Sequence, residues 1–468
     1  MCNLEMRTYA ANYSPPQDRL AQSLHWLSLG AFFATLVLIP VRFHFLTIPR
    51  PNLPIYSDYT DFLLYLPDIA MLLTLIFWGL NLILSPRLLT FGPRHIWIPL
   101  TGLTVAGGLS ILTSFDRPLS TYYLIRWIGL FAFYVFIVNE IRSVRLVVIP
   151  IALQVAIQSP VALAQFIAQH SVGLESLGEL QLDPAQAGIS IISANGVRLL
   201  RAYGLSDHPN IVGGCFAFAL LLLFGVYLHK PTSTLTLAAL LPGLAALLVT
   251  FSRSAWLAFL AGAACLLGIE ILSGQRHWIR PMLILASIGF FLLAPFILAY
   301  PAFFRVRLNA GNPLDSNPIE QQSIDERILL FRSAIPLFKD HPLIGVGLGA
   351  GPIALKAYYP TFPIAYQPPH FTLFDAALET GLIGGIFYFL LFTLPLFTFL
   401  RMHGPLGTDP VATTSVVILL SILIVGFFDY YPWLLEAGRM WQWLAWGLWG
   451  AALSRNSANR AQALHPGF

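Results

Sequence analysis

Apolar stretches long enough to cross a lipid bilayer recur along this chain of 468 residues. A helix needs about 20 mostly apolar residues to span the hydrocarbon layer, because each residue adds only about 1.5 Å of length. Polar segments separate the stretches, as loops separate membrane helices. We therefore predict about twelve transmembrane helices, at 25–41, 62–84, 95–113, 121–138, 145–168, 209–228, 233–251, 254–271, 279–300, 378–400, 411–429 and 437–453.

The composition supports the same class. Hydrophobic residues make up 57% of the chain and charged residues only 10%, which is too little polar surface for a water-soluble globule of this length. We expect an all-α, polytopic integral membrane protein with a single membrane domain over 1–468. The first apolar stretch is long enough to span and lacks a small-residue cleavage site, so we interpret it as a membrane helix rather than a signal peptide.

Positive charges are distributed unevenly between the two sets of loops. The short loops of one side hold only Arg42, Arg50, Arg117 and Arg253. Cytoplasmic loops are enriched in Lys and Arg, so we predict that the richer side and both termini are cytoplasmic. The long segments 170–208 and 301–377 then face outward, the second between the ninth and tenth helices. The richer side carries Arg7, Arg19, Arg87, Arg94, Arg142, Arg145, Lys230, Arg276, Arg280, Arg401, Arg455 and Arg460.

Ionisable side chains in or beside the apolar stretches gather on the predicted outer side. Such groups are costly near lipid and usually face a cavity or a partner. One interpretation is a set of structural ion pairs, for example Arg126 with Asp68. Their concentration on one side favours the alternative, an outward-facing polar cavity. The set comprises Asp61, Asp68, Arg126, Arg253, Asp429, Glu436 and Arg439.

Four glutamines of the fifth predicted helix lie on one helical face. Gln154, Gln158, Gln165 and Gln169 are separated by four, seven and four residues. We expect this face to point into the bundle, where its amides form interhelical hydrogen bonds.

The outer segment 301–377 contains a predicted amphipathic helix at about 324–339. Ser323 and Glu326 have the spacing of a capping box, which marks the start of a helix. The apolar stripe that follows predicts a helix lying on the membrane surface or over the mouth of the bundle, with Arg327 off the stripe. The stripe consists of Ile324, Ile328, Phe331, Ile335 and Phe338.

A glycine-rich stretch at 342–351 comes next in the chain. It lacks the strand before it and the Lys-Ser/Thr pair after it that phosphate-binding loops carry. We therefore interpret this stretch as a mobile turn.

Two residue types in the outer segments carry candidate chemistry. Arg201 precedes the sixth helix, and a guanidinium group binds phosphate in a bidentate manner, although arginines at helix ends also anchor to lipid headgroups. His370 precedes the tenth helix, and an imidazole can take and return a proton near neutral pH. The alternative for His370 is a loop histidine that makes a structural hydrogen bond.

Other chemistries find little support. The three cysteines, Cys2, Cys215 and Cys265, give no disulfide framework. No cluster of Cys, His and carboxylate residues has metal-ligand spacing, so we predict no metal site. The net charge of +4 is small and forms no basic stripe, which argues against a nucleic-acid partner.

Several short motifs, in order, resemble the O-antigen ligase and polymerase family over about 190–430. In the ligase branch of that family the histidine is followed by Asn, Ser or Gln, and the chain departs from this pattern at Phe371. The motifs are Arg201-x-x-x-Leu205, Thr250-Phe251-Ser252-Arg253-Ser254, Arg327 followed by His341-Pro342-Leu343-Ile344-Gly345-Val346-Gly347, and His370 ahead of Gly381-x-x-Gly384.

The resemblance implies a GT-C-like helical bundle that transfers a glycan from a polyprenyl (undecaprenyl) diphosphate carrier, without a metal or nucleotide cofactor. The acceptor is a hydroxyl of a lipid, glycan or protein at the outer face of the inner, cytoplasmic membrane. Arg201 and Arg327 match the arginines implicated in holding the diphosphate, to which we add Arg253, and His370 matches the proposed base. As supporting residues we expect Arg126, Asp207, Asn210, Asp375 and Glu379, with the last two near enough to orient the imidazole.

Two alternatives stay open at this point. The motifs do not separate a ligase from a polymerase of polysaccharide repeat units, because the acceptor distinguishes them. A solute or inorganic-carbon transporter or a flippase is a different class that also needs buried polar faces. Transporter sites usually lie near the midplane of the membrane, whereas the ionisable groups here gather at the outer end.

Overall fold

A computed structural model describes residues 19–229, 234–272, 274, 276–308, 318–402 and 409–464. These residues are mostly helical, with two short antiparallel hairpins, β1 (His44–Ile48) with β2 (Phe62–Tyr65) and β3 (Ile191–Ala194) with β4 (Val197–Leu200). The helices are α1 (Arg19–Leu38), α2 (Leu66–Leu84), α3 (Arg94–Ser110), α4 (Arg117–Glu140), α5 (Arg145–Ala168), α6 (Pro209–His229), α7 (Thr234–Val249), α8 (Arg253–Leu272), α9 (Ile279–Ala299), α10 (Pro301–Arg307), α11 (Pro318–Asp340), α12 (Gly351–Tyr358), α13 (Thr372–Arg401), α14 (Pro410–Gly426), α15 (Tyr431–Leu434) and α16 (Glu436–Leu464).

The chain is a mostly helical, polytopic membrane protein. Within the described residues, 8 helices are long and apolar enough to cross a membrane, namely α1, α2, α4, α5, α6, α8, α9 and α13. Helices α7 and α14 are apolar but shorter. Each of the predicted apolar stretches coincides with a helix, yet the total of twelve spans and the GT-C-like architecture stay predictions.

Helix α6 forms the centre of the bundle. Its membrane-spanning window is 100% buried, and it packs against α7, α8, α14 and α16. A helix that is apolar on every face is stable only when other helices or lipid surround it. Small residues permit close packing here, since the Gly225 position of α6 lies against Thr414 of α14.

The segments predicted to face outward contact one another. Lys356 of α12 donates to Asn52 Oδ1 of the β1–β2 connection at 2.6 Å. Arg327 of α11 donates to the carbonyl oxygen of Phe428, after α14, at 3.1 Å. Helix α10 also packs against β3. The polar connections on this side of the helices thus form one continuous layer.

Helix α11 differs from its prediction at its first turn. It begins at Pro318, and Ser323 lies inside it, so the capping box predicted at Ser323 is wrong. Proline suits the first position of a helix because its missing N–H has no intrahelical partner there. Once the helix starts upstream, the amides that a Ser323 side chain would cap are already bonded within the helix.

The buried face of α11 also differs from the predicted stripe. Ile324 and Ile328 are 40% and 44% exposed, whereas Leu330, Ala334 and Leu337 are buried. Arg327 precedes Leu330 by three positions and therefore shares the buried face, contrary to the prediction. Packing on α13 selects this face, since Phe331 and Phe338 contact Phe374 with ring centroids 4.8 and 5.8 Å apart.

The glycine-rich stretch 342–351 is a packed loop, so its interpretation as a mobile turn is wrong. The backbone amide of Gly347 donates to the carbonyl oxygen of Glu379 at 3.0 Å, and Leu382 N donates to Pro342 O at 2.8 Å. These bonds insert the loop where α13 is interrupted at Gly381, which has φ 72° and ψ 179°. Only glycine adopts this conformation without strain.

We predict that Gly381→Ala destabilises the protein by about 2 kcal/mol or more. An alanine would be strained at the positive φ of this position, and its Cβ would collide with the carbonyl oxygen of Leu343. The measurement is the apparent melting temperature of the purified protein in detergent. Gly79→Ala in α2 is the control, because a Cβ there meets no atom within 4 Å. Equal melting temperatures for the two variants would contradict the prediction.

Candidate functional site

Arg201 occupies the position directly after β4 and is almost completely buried, with 5% exposure. Its Nε donates to the carbonyl oxygen of Thr250 at 2.8 Å, and its Nη2 donates to Asn210 Oδ1 at 2.5 Å. Asn210 in turn donates from Nδ2 to Asp429 Oδ2 at 2.9 Å. The guanidinium group is therefore fixed by three parts of the chain that are far apart in sequence, the α7–α8 turn, the start of α6 and the segment after α14.

Glutamines of α5 hold the extended segment that carries Arg201. Gln165 Oε1 accepts from the amides of Tyr203 and Gly204 at 3.1 and 2.8 Å, and its Nε2 donates to Gly204 O and to Glu179 Oε1, both at 2.9 Å. The prediction that the glutamine amides bond to other helices is therefore wrong for Gln165. Its partners lie in non-helical segments, whose backbone amides need acceptors. Gln158 and Gln169 likewise accept from the amides of Leu205 and Leu200, each at 2.8 Å.

Arg307, which we did not predict, lies beside Arg201. Its Nε donates to the carbonyl oxygen of Phe251 at 2.6 Å, so consecutive carbonyl groups of one turn bind the two arginines. Phe251 has a left-handed backbone with φ 49°, an uncommon conformation for a large side chain. Arg253 is the first residue of α8 and follows directly on this turn. The sequence around Arg307 has no periodicity that could have marked it.

His370 lies immediately before α13 and is partly buried. Its ring meets the ring of Tyr430 edge to face, with centroids 4.8 Å apart at 89°. The Tyr430 hydroxyl is 2.5 Å from the Tyr59 hydroxyl. Because Arg327 binds the carbonyl of Phe428, and Asn210 binds both Arg201 and Asp429, segment 428–430 connects the imidazole with Arg201 and Arg327.

The electrostatics keep this imidazole uncharged. Burial lowers the pKa of His370 to about 4, with Arg327 lowering it further while Asp429 and a backbone hydrogen bond at Pro368 oppose the shift. Its Nδ1 has no hydrogen-bond partner among the described residues. At neutral pH the ring is therefore a free base, which is the form that can accept a proton.

A second histidine, His208, was not predicted as a site residue. Burial and then the charges of Arg201 and Arg327 hold the pKa of His208 well below its usual value. Asn210 N donates to its Nδ1 at 3.1 Å, so the proton is on Nε2, which donates to Ser190 Oγ at 2.8 Å. The positive charges around this neutral ring make the region attractive to an anion.

Three predicted supporting carboxylates do not contact His370 among the described residues. Asp207 accepts from Arg42 Nε at 2.6 Å. Glu379 Oε2 accepts from Gly349 N and from Trp433 Nε1, both at 2.7 Å. Neither oxygen of Asp375 has a hydrogen-bond partner in the part of the chain that the structure describes. The expectation that Asp375 and Glu379 orient the imidazole is therefore wrong, because the glycine loop and Trp433 use the oxygens of Glu379 instead.

Arg126 lies in a different polar group at the same end. Its Nη2 donates to Asp68 Oδ2 at 2.7 Å and also bonds to Glu436. Arg439 donates to Glu436 Oε2 at 3.1 Å. The ion pair anticipated between Arg126 and Asp68 is thus present, and Arg126 does not join the arginines around segment 428–430.

Residues 237–389 match the family model described as O-Antigen ligase. This region of the chain is similar to the O-antigen ligase family. The matched region includes the 250–253 turn, Arg307, Arg327 and His370, while Arg201 and Asp429 lie outside it. A search among curated proteins found no significant match.

We predict that Gln165→Leu destabilises the protein by about 3 kcal/mol or more. The substitution leaves the buried amides of Tyr203 and Gly204 without an acceptor, at about 1–3 kcal/mol for each unsatisfied group. The measurement is the apparent melting temperature in detergent.

Gln154→Leu is the matched control, on the same helix and equally buried. Neither polar atom of Gln154 has a partner among the described residues. Removing this amide should leave stability unchanged or raise it. If Gln154→Leu costs as much as Gln165→Leu, the glutamines do not act through the 200–205 segment.

Proposed function

We propose that this protein transfers a glycan from a polyprenyl diphosphate carrier to an acceptor hydroxyl at the outer face of the cytoplasmic membrane. The similarity of residues 237–389 to the O-antigen ligase family supports glycan transfer of the ligase or polymerase type. One observation carries the finer proposal: Arg201 and Arg327 converge with an uncharged His370 around segment 428–430, and Arg307 joins Arg201 at the 250–251 turn. The arginines suit a diphosphate, and the imidazole suits an acceptor proton.

The arginines act on the leaving group. As the bond between the anomeric carbon and the carrier oxygen breaks, its electron pair moves onto the diphosphate, whose negative charge rises. Arg201 and Arg327 bind and stabilise that charge, with Arg253 and Arg307 beside them. Arg201 is already oriented by Thr250 and Asn210, so little reorganisation is needed as the charge develops. These guanidinium groups supply the positive charge that a divalent cation supplies elsewhere, and we propose a metal-independent reaction.

His370 acts on the acceptor. Its free nitrogen takes the proton from the acceptor hydroxyl while the oxygen attacks the anomeric carbon from the face opposite the diphosphate. One glycosidic bond forms as the bond to the carrier breaks, and the configuration at that carbon inverts. The imidazolium that results lies near Asp429, whose negative charge favours the protonated ring.

Orientation and acceptor complete the proposal. The arginine bias of the loops supports cytoplasmic termini, and with that orientation the layer that contains Arg201 and His370 faces outward. A lipid, glycan or protein hydroxyl serves the same chemistry, so ligase and repeat-unit polymerase differ only in the acceptor bound.

We predict that His370→Ala lowers kcat for glycan transfer by about 10²- to 10⁴-fold while the KM for the donor stays near the parent value. His370→Gln should not restore activity, because an amide cannot accept the proton. The assay uses purified protein with a defined polyprenyl diphosphate donor. His170→Ala, an exposed histidine of segment 170–208, is the control.

The pH dependence follows from the same residue. A lowered pKa keeps His370 unprotonated until the pH approaches about 4, so kcat/KM should stay level down to about pH 5 and then fall. The variants should lack this acidic limb. Transfer by His370→Ala within a few-fold of the parent would show that this histidine is structural.

A further inference from the structure

Ser190 lies opposite Arg201 at the open end of the β3–β4 hairpin. The last pair of the strands is Ile191 with Leu200. The amide of Arg201 then donates to the carbonyl oxygen of Ser190 at 3.3 Å, which extends the register by one pair. Directly opposed side chains of an antiparallel pair project from the same face, with Cβ atoms about 5 Å apart. The Ser190 hydroxyl therefore lies on the same face of the hairpin as the Arg201 side chain.

This face of the hairpin is turned toward the helical bundle. Side chains alternate between the two faces of a strand, so the next pair on this face is Ile192 with Leu199. Ile192 and Leu199 are only 1% and 5% exposed and belong to the main hydrophobic core. The function proposed above uses Arg201 of this face and gives Ser190 no role.

His208 determines what the Ser190 hydroxyl can do. The amide of Asn210 donates to Nδ1 of His208 at 3.1 Å, so the proton of the neutral ring is on Nε2. Nε2 then donates to Ser190 Oγ at 2.8 Å. A serine that accepts from a histidine is not deprotonated by it, so this pair is not an activated nucleophile. The hydroxyl proton of Ser190 stays available, and the described residues offer it no acceptor.

His208 also caps helix α6, but capping does not explain its bond to Ser190. It precedes Pro209, the first residue of the helix, and its ring accepts from the second amide. Capping uses Nδ1 alone, and an asparagine would serve as well. Asn210 fixes the ring through its backbone and binds Arg201 through its side chain. One residue thus orients both the guanidinium group and the histidine that holds Ser190.

The surroundings of Ser190 suit an anion. Burial, and then the charges of Arg201 and Arg327, lower the pKa of His208, so both guanidinium groups are close to the ring that binds Ser190. Phosphate oxygens accept from hydroxyl groups as well as from guanidinium groups, and donors fixed in advance need little reorganisation.

We propose that Ser190, held as a hydrogen-bond donor by His208, binds the carrier diphosphate beside Arg201. This assignment rests on the proposed function. It adds one group that touches the leaving diphosphate, the Ser190 hydroxyl, and one positioning residue, His208.

Binding of inorganic pyrophosphate to the purified full chain in detergent, measured by isothermal titration, tests the assignment. Ser190→Ala should weaken binding about tenfold or more, the effect of one lost hydrogen bond to a charged group. Ser190→Thr keeps the hydroxyl group and should bind pyrophosphate like the parent. Ser176→Ala changes an exposed serine of segment 170–208 and is the control, also with parent-like binding.

His208→Asn separates positioning from capping. Asparagine is a favoured cap and still accepts from the Asn210 amide, but its shorter side chain lacks the Nε2 donor. We expect a melting temperature like that of the parent and pyrophosphate binding about threefold weaker or more. The double variant with Ser190→Ala should lose no more affinity than Ser190→Ala alone, because His208 acts through Ser190.

The outcomes separate this assignment from the proposed function. If the parent protein binds pyrophosphate, parent-like affinity in Ser190→Ala or in His208→Asn would overturn the assignment and leave the arginine cluster in place. Equal losses in Ser190→Ala and Ser190→Thr would overturn it too, because the hydroxyl group would not be the ligand. So would additive losses in the double variant. A parent protein that does not bind pyrophosphate would overturn the diphosphate site of the proposed function itself.

Discussion

The candidate site depends on the buried carboxylate of Asp429. It accepts from Asn210, which in turn binds Arg201, while its backbone carbonyl accepts from Thr372 Oγ1 at 2.7 Å. One residue thus connects the arginine end of the site with the start of α13, directly after His370. A buried carboxylate needs hydrogen-bond donors, and Asn210 and the Tyr430 amide supply them here. Asp429 therefore fixes the position of the two ends of the site relative to each other.

The membrane explains why these groups lie where they do. Polar groups are costly within the hydrocarbon layer, and the central helix α6 is apolar over its whole spanning window. The side chains of the candidate site lie instead in the connections at one end of the helical bundle. Extended segments and turns there expose backbone carbonyl groups that orient the guanidinium groups. An arginine-rich region results around segment 428–430.

Sequence reasoning located the helices, because apolar runs leave a local signal. Within the candidate site, Arg201 and His370 stood out as polar residues beside membrane stretches, and the family resemblance singled out Arg327. Other features depend on contacts between distant segments. The buried face of α11 is decided by Phe374 of α13, and Arg307 is placed by a turn more than fifty residues earlier in the chain. Glu379 was misassigned because its partners are backbone amides of a glycine loop, which no side-chain pattern reveals.

The central claim is that the arginine cluster binds the diphosphate of the donor, and binding of inorganic pyrophosphate to the purified full chain in detergent tests it most directly. Isothermal titration should detect binding to the parent protein and a loss of about 2 kcal/mol or more in Arg201→Ala, with partial recovery in Arg201→Lys, which cannot bind in a bidentate manner. Arg198→Ala, an exposed arginine three residues earlier on β4, should bind pyrophosphate like the parent. Parent-like affinity in Arg201→Ala, or equal losses in the two alanine variants, would contradict the account.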